Sequence, residues 1–174
     1  DEQKLLKSRG KLFLSDERLV SLDNKNSNFF NIKKQFKKNI KYNIFPLNRN
    51  SIKQKNSNRI FKKIKNYYTI SILGMGMDGH FASIFLKDKE YKKMINVKQK
   101  PKIWLTQKIG KPKVKRLTLN LSGILLANKI FLIVNNQPKK SVLLKSLKQK
   151  NDTIPLAILL QKAKKKLIIF KKNI

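Results

Sequence analysis

Residues 68–85 read YTISILGMGMDGHFASIF, and the order of residue types in this stretch decides the fold. Residues 69–73 are β-branched and apolar, which is typical of a short buried strand in an α/β sheet. The glycines of the turn at 74–76 leave backbone N–H groups exposed, with no Cβ in the way of a ligand. A polar triplet follows at 78–80, and residues 81–85 predict the first turns of a helix. This order places a candidate ligand site at the carboxyl end of a sheet strand.

Strand and helix patterns alternate along the rest of the chain. Short apolar runs predict further strands, and apolar residues at helical spacing predict helices between them. We therefore predict an α/β fold with a mostly parallel sheet and helices on both faces, a Rossmann-like three-layer sandwich. The further predicted strands span 11–15, 42–45, 103–106, 130–134 and 167–170, and the predicted helices span 29–36, 60–68, 121–128 and 155–160, with another helix that ends at 147.

The charge of the chain, formally +33 over 174 residues, argues less for a nucleic-acid partner than its size suggests. The 42 basic residues are 37 Lys and 5 Arg, scattered through every segment. A surface that binds nucleic acid is expected to carry Arg and aromatic residues together on one basic face. We therefore interpret most of the lysines as solvated surface charges and expect no nucleic-acid partner.

The amino-acid composition also excludes several kinds of site and of protein. The chain has no cysteine, which excludes disulfides and thiolate zinc sites. No stretch reaches the roughly 18 uninterrupted apolar residues of a membrane helix, and we recognise no secretory leader. We therefore expect a single domain over residues 1–174, located in the cytoplasm and without a membrane partner.

His80 is the only histidine of the chain, and its side chain is the only one whose ordinary pKa lies near neutrality. A general base of that type is therefore His80 or absent. Asp78 could act beside it or serve as the N-cap of the helix predicted after it. The spacing of Gly74, Gly76 and Gly79 also satisfies the dinucleotide fingerprint G-x-G-x-x-G. The acidic residue that this fingerprint needs after the next strand is missing, so nucleotide binding is disfavoured.

The segment LGMGMDGHFASIF, residues 73–85, resembles the signature of the 6-phosphogluconolactonase family. Further matches to the family lie on both sides of this segment, in the same order as in the family. They are DER-x-V at 16–20, Ser27-Asn28, R-x-T-L at 116–119, and the turn before Lys139, where Asn136 replaces the usual first residue of Gly-x-x-Lys. Because Asn tolerates a left-handed backbone better than other non-Gly residues, we expect this turn to survive.

The resemblance implies hydrolysis of 6-phospho-D-glucono-1,5-lactone to 6-phospho-D-gluconate in the oxidative pentose phosphate pathway. It implies no metal and no cofactor, and His80 lacks partners at metal-ligand spacing. By resemblance, His80 activates water with Asp78 as the second catalytic residue. Binding of the substrate and its phosphate is implied for Arg18, Asn28, Gly74, Gly76, Gly79, Arg116 and Lys139. The plainer interpretation of each single Arg or Lys is a solvated surface charge.

Members of the family also have a preceding strand that ends in a Ser/Gly-rich loop of the form S-G-G-x-T-P. Nothing like it occurs before Lys11, so we expect a domain that is partial at its N terminus. Two alternatives stay open. Related glucosamine-6-phosphate deaminases share the DGH element but continue I-A-F-N-E-P, unlike residues 81–85. From a different class, the chain could be an inactive relic kept for interaction or a basic nucleic-acid-binding module.

Overall fold

The computed structural model describes residues 11–35, 43–66, 69–149 and 152–171. None of the helices in these ranges has the length and apolar character needed to cross a membrane. The strands are β1 (Lys11–Phe13), β2 (Asp16–Arg18), β3 (Asn43–Phe45), β4 (Ile70–Gly74), β5 (Ile103–Leu105), β6 (Arg116–Leu119), β7 (Lys129–Val134) and β8 (Leu167–Lys171). The helices are α1 (Asn28–Gln35), α2 (Gln54–Asn66), α3 (Tyr91–Ile95), α4 (Leu121–Ile124), α5 (Gln137–Lys148) and α6 (Pro155–Ala163), with short 3-10 helices at Arg49–Ile52 and Lys164–Lys166.

A parallel sheet in the order β4-β7-β8 carries the central stretch of the sequence. Leu73, Leu132 and Ile169 lie side by side across this sheet, and Leu73 and Leu132 are fully buried in the core. Continuous apolar runs are typical of parallel strands, because such sheets are covered by other elements. The predicted strands at 69–73, 130–134 and 167–170 are therefore confirmed, each within one residue at its ends.

A second sheet, in the order β2-β6-β5, is antiparallel, and this corrects the prediction of one mostly parallel sheet. The residues Asp16–Arg18, which belong to the DER-x-V match, are themselves a strand that pairs with β6. Parallel neighbours need a long crossover connection, whereas antiparallel ones do not. Residues 106–115 join β5 to β6 without a helix, so the chain turns back on itself. β1 and β3 pair separately in a small parallel sheet.

Residues 81–85 form a tight turn and not the predicted helix. Phe81 makes isolated bridges to Met75 and to Ile84, and Ala82 has a φ of 46°, which a right-handed helix does not allow. Phe81 and Ile84 are fully buried. A run of five residues is too short for periodicity to separate a helix from a packed turn, and here core packing determines the conformation.

Most of the other predicted helices are present. The patterns at 29–36, 60–68 and 155–160 and the helix ending at 147 correspond to α1, α2, α6 and α5, whereas α4 is shorter than the predicted range 121–128. The predictions for Phe36, Tyr42, Tyr67 and Tyr68 fall outside the described residues.

One face of the parallel sheet is apolar and open to solvent. The register places these side chains next to each other across the three strands, and Ile72, at 69% exposure, is the most open of them. Within the described ranges, this sheet is therefore covered on one face, and the predicted second layer of helices stays a prediction. The exposed residues are Ile70, Ile72, Ile133, Ile168 and Phe170.

Candidate active site

The turn that follows β4 holds His80 by backbone hydrogen bonds. The Gly76 N–H donates to the His80 carbonyl oxygen at 2.8 Å, and the Gly79 N–H donates to the Gly76 carbonyl oxygen at 3.1 Å. Gly79 has a φ of +76°, a conformation that favours glycine over residues with a Cβ. The predicted glycine turn is thus present, and it places the imidazole at the carboxyl end of the parallel sheet.

Asp78 is the hydrogen-bond partner of the His80 ring. Its Oδ1 lies 2.5 Å from His80 Nδ1 and also accepts the His80 backbone N–H at 3.3 Å. Because no helix follows, Asp78 is not the helix N-cap that the sequence allowed. A carboxylate at Nδ1 assigns the ring proton to that nitrogen and leaves the Nε2 lone pair to act as a base. The His80 side chain is 26% exposed, so the ring is partly open to solvent.

The charge state of Asp78 follows from this contact. Partial burial raises the pKa of the Asp78 carboxyl, but the hydrogen bond with His80 and the charge of the imidazolium outweigh that effect. The net result is a pKa below the ordinary carboxyl value. Asp78 is therefore ionised at neutral pH and orients the imidazole.

Gly76 and Gly74 differ in what they contribute. A Cβ on Gly76 would lie 2.1 Å from His80 Nδ1 and 2.7 Å from Asp78 Oδ1, whereas a Cβ on Gly74 would meet nothing within 4 Å. The imidazole and its carboxylate partner thus occupy the space that a side chain at position 76 would need. Gly74, predicted to contact substrate, leaves open space beside the end of β4.

Phe85 connects His80 to Arg116. The His80 and Phe85 rings lie 4.0 Å apart between centroids, and the Arg116 guanidinium carbon lies 5.4 Å from the Phe85 centroid. Arg116 is buried, and its guanidinium donates to the carbonyl oxygens of residues 109, 111 and 112. Burial, with the neighbouring charge of Arg18, lowers the Arg116 pKa, and Asp16 opposes this. Arg116, which was predicted to bind phosphate, therefore lies near His80, and its guanidinium holds the loop at 109–112.

Arg18 lies opposite Arg116 in the antiparallel pair β2–β6, so both side chains leave the same face of that sheet. Arg18 Nη1 donates to the Asn26 carbonyl oxygen at 2.8 Å. Beside Arg18 is an open cleft of about 510 Å³, and Arg49 is a second arginine in its lining. Sequence reasoning missed Arg49, because no motif links the two segments.

Asn28 and Lys139 are held by partners of their own. Asn28 Nδ2 donates to the Asp16 carbonyl oxygen at 2.9 Å, and Lys139 Nζ donates to Asn135 Oδ1 at 3.1 Å. Asn136 has an extended backbone, with a φ of −156°, and its side chain caps α5 by accepting the Lys139 N–H. This corrects the expected left-handed turn: Asn replaces Gly here as an N-cap.

Helix α5, which carries Lys139, also lies near the turn that holds His80. A Cβ on Gly79 would come within 3.7 Å of Val142 in α5, one helical turn beyond Lys139. The structure thus brings the start of α5 to the same edge of the sheet. Within the described ranges, no three His, Cys, Asp or Glu side chains gather as metal ligands.

Two further residues of the site were not identified from the sequence. Asp16 was included only as part of the DER motif, and Ser83 was assigned to a helix. Ser83 Oγ donates to Asp16 Oδ2 at 2.6 Å across 67 positions of sequence. The available signal was the alternation in β2, which puts Asp16 and Arg18 on one face and Glu17 on the other.

Comparison with known proteins places this geometry in a family. Residues 1–169 match the family described as glucosamine-6-phosphate isomerases/6-phosphogluconolactonase. A 6-phosphogluconolactonase of Thermotoga maritima is 32% identical over 175 residues, which cover 97% of this chain and 74% of that protein. One of Helicobacter pylori is 29% identical over 157 residues, covering 87% of this chain and 66% of that protein. The crystal structure of a 6-phosphogluconolactonase from Shewanella baltica has the same fold, with a TM-score of 0.76 at 23% identity over 92% of this chain and 71% of that one. The chain therefore belongs to the family of glucosamine-6-phosphate isomerases and 6-phosphogluconolactonases.

Proposed function

We propose that the protein hydrolyses 6-phospho-D-glucono-1,5-lactone to 6-phospho-D-gluconate, a step of the oxidative pentose phosphate pathway. The observation that carries the proposal is the contact of 2.5 Å between His80 Nδ1 and Asp78 Oδ1 on a glycine turn. The two relatives described above are both named 6-phosphogluconolactonase. A lone imidazole with an ionised partner suits a reaction that needs one base and no redox chemistry.

The proposed reaction opens an ester bond with water. His80 Nε2 takes a proton from the attacking water as its oxygen adds to the lactone carbonyl carbon. When the tetrahedral intermediate collapses, the bond from that carbon to the ring oxygen breaks, and the imidazolium returns the proton to this oxygen. The products are a carboxylic acid, which ionises, and a hydroxyl group. Asp78 holds the Nδ1 proton and stabilises the charged ring throughout.

Substrate binding by the remaining predicted residues belongs to the same proposal. The Arg18 side chain leaves the sheet face that also carries Asp16 and Arg116. Lys139 lies in the first turn of α5, the helix whose Val142 is close to Gly79. Cationic groups from separate elements would hold the phosphate and polarise the lactone carbonyl. In this proposal, Asn28 shapes the pocket by anchoring α1 to β2.

The test compares the chain with His80→Ala. Lactone hydrolysis is followed by the release of acid, with the uncatalysed rate subtracted. We expect the variant to lose roughly 10²- to 10⁴-fold in kcat, the usual contribution of a positioned general base, while its unfolding curve stays close to that of the parent. Equal rates in both proteins, or no rate above background in either, would reject the proposal.

The same samples test the other activity in the family name. Incubation with glucosamine 6-phosphate, followed by an ammonium assay, should give no product. Ammonium release without lactone hydrolysis would reverse the assignment. A single domain over residues 1–174, a cytoplasmic location and the absence of a nucleic-acid partner stay predictions.

A further inference from the structure

The turn that carries His80 is fastened to the antiparallel sheet by buried polar contacts. Ser83 Oγ donates to Asp16 Oδ2 at 2.6 Å, and the Ser83 backbone N–H donates to Thr118 Oγ1 at 3.2 Å. Asp16 and Thr118 are themselves partners in the β2–β6 register. Ser83 and Thr118 are fully buried, so water does not compete for the bond between them, whereas the Ser83–Asp16 bond is half-buried.

These contacts add a polar link between two sheets that also share one hydrophobic core. On one side, the turn leaves β4 at Gly74, and two residues later the Gly76 N–H donates to the His80 carbonyl oxygen at 2.8 Å. On the other side, Ser83, three residues beyond His80, binds β2 and β6. The imidazole therefore lies between an anchor on the parallel sheet and an anchor on the antiparallel sheet.

Arg18 depends on the same anchor. It lies two residues after Asp16 in β2, and residues at that spacing leave the same face of a strand. A contact that fixes Asp16 against Ser83 thus also fixes the β2 backbone that carries Arg18 relative to the turn that carries His80. No covalent path shorter than the 61 intervening residues links these two side chains.

We propose that the Asp16–Ser83 hydrogen bond sets the separation and orientation of the His80 imidazole and the Arg18 guanidinium. Ser83 and Asp16 are then positioning residues for the reaction, and neither needs to touch the substrate. This role rests on the proposed function for its kinetic consequence, although the geometry stands without it. A directional bond between a carboxylate and a hydroxyl group suits this task, because its geometry restricts both the distance and the angle between the two groups.

The experiment uses the single histidine as a reporter. Because His80 is the only imidazole, its Cε1–H gives one assignable proton resonance, and the Phe85 ring at 4.0 Å shifts that resonance through its ring current. Ser83→Ala should move the His80 resonance toward the value of free histidine. It should also lower kcat by roughly 10- to 100-fold, since misplacement by about 1 Å can cost that much, with KM within about twofold.

Two comparisons between variants distinguish a positioning role of the hydrogen bond from a general loss of structure. Ser122→Ala removes a buried hydroxyl that has no partner within the described residues, and it should leave both the resonance and kcat at parent values. Asp16→Asn keeps an oxygen that can accept the Ser83 hydroxyl, whereas Asp16→Ala does not. The Asn variant should therefore retain more of the His80 shift and more of kcat than the Ala variant.

The outcomes decide the proposal whether or not every variant folds. An unchanged His80 resonance and kcat in Ser83→Ala would overturn it, as would equal losses in Asp16→Asn and Asp16→Ala. If Ser83→Ala does not fold, the two Asp16 variants provide the same decision. If the parent hydrolyses no lactone, the proposed function fails, while the resonance still tests the positioning contact.

Discussion

His80 Nδ1 and Asp78 Oδ1 lie 2.5 Å apart, and this contact assigns the proton to Nδ1 and the free lone pair to Nε2. Asp78→Asn keeps the size of the side chain but removes the negative charge that holds this tautomer. We expect kcat for lactone hydrolysis to fall roughly 100-fold, the lower end of what a positioned base contributes. Asp23→Asn, at an exposed carboxylate bound to Ser21, is the control and should keep the parent rate. A parent-like rate in Asp78→Asn would contradict the role of the carboxylate.

Replacing each of the two glycines that flank Met75 by alanine should have different effects on kcat. Gly76→Ala puts a Cβ 2.1 Å from the His80 ring, while Gly74→Ala has open space around it. Because the ring must move to admit the methyl group, we expect Gly76→Ala to lose roughly 100-fold in kcat. Gly74→Ala should stay within about twofold. Steady-state rates of both variants, with the His80 proton resonance as a check on ring position, measure the difference.

The fold around the central strand was accessible from the sequence because its signals are local. The runs at 69–73, 130–134 and 167–170 are apolar, short and rich in β-branched residues, and each became a strand within one residue of its predicted ends. The glycine turn that carries His80 was also predicted correctly from the sequence. These features depend on the backbone preferences and the apolar pattern of neighbouring residues, and a short window of sequence shows both.

The parts that failed depend on partners far along the chain. Nothing within Asp16–Arg18 indicates that it pairs antiparallel with Arg116–Leu119, since only three-dimensional packing makes that choice. The helix predicted over 81–85 gave way to a turn because Phe81 and Ile84 pack into the core, and Ser83 in that turn binds Asp16, 67 positions away. For the same reason the sequence could name Arg116 as a ligand but could not show that its guanidinium binds three backbone carbonyls.

The stability of the protein should depend on the protonation of Asp16. Burial raises the pKa of this carboxyl, although the Ser83 hydroxyl and the charges of Arg18 and Arg116 oppose the effect and Glu17 adds to it. Above the ordinary value of about 3.9, the unfolded chain loses this proton while the folded one retains it to higher pH. The contribution of Asp16 to stability therefore decreases as the pH rises through that window.

Asp16→Asn has no proton to lose, so its Tm relative to the parent should become more favourable between pH 4 and pH 7. Thermal unfolding of both proteins at the two pH values measures the difference. Asp23→Asn is the control, because the hydrogen bond from Ser21 lowers the pKa of Asp23 and so gives no change in that direction. A relative Tm for Asp16→Asn that falls on going to pH 7 would refute the argument.

Glu17 should be one of the residues that most strongly stabilise the antiparallel sheet and α1 together. Its side chain is 1% exposed and accepts the Ser27 hydroxyl at 3.0 Å and the backbone N–H groups of Asn28 and Phe29 at 2.6 and 2.7 Å. Glu17→Ala leaves these donors unpaired and should cost about 3 kcal/mol in the free energy of unfolding. Glu90→Ala removes a surface pair with Lys93 and should cost much less, because solvent screens exposed ion pairs. Urea unfolding midpoints of the two variants distinguish the cases, and equal costs would mean that Glu17 does not hold the sheet and α1 together.

The open face of the parallel sheet should make adjacent residues of β4 respond in opposite ways. Ile72 is 69% exposed and Leu73 is 1% exposed, because successive side chains leave opposite faces of a strand. Ile72→Ala should change the free energy of unfolding by no more than about 0.5 kcal/mol and should lower the fluorescence of a dye that binds apolar surfaces. Leu73→Ala removes packed core atoms and should cost between about 2 and 5 kcal/mol. A large loss of stability in Ile72→Ala would mean that this face is covered in solution, because only a packed side chain forfeits contacts when it is truncated.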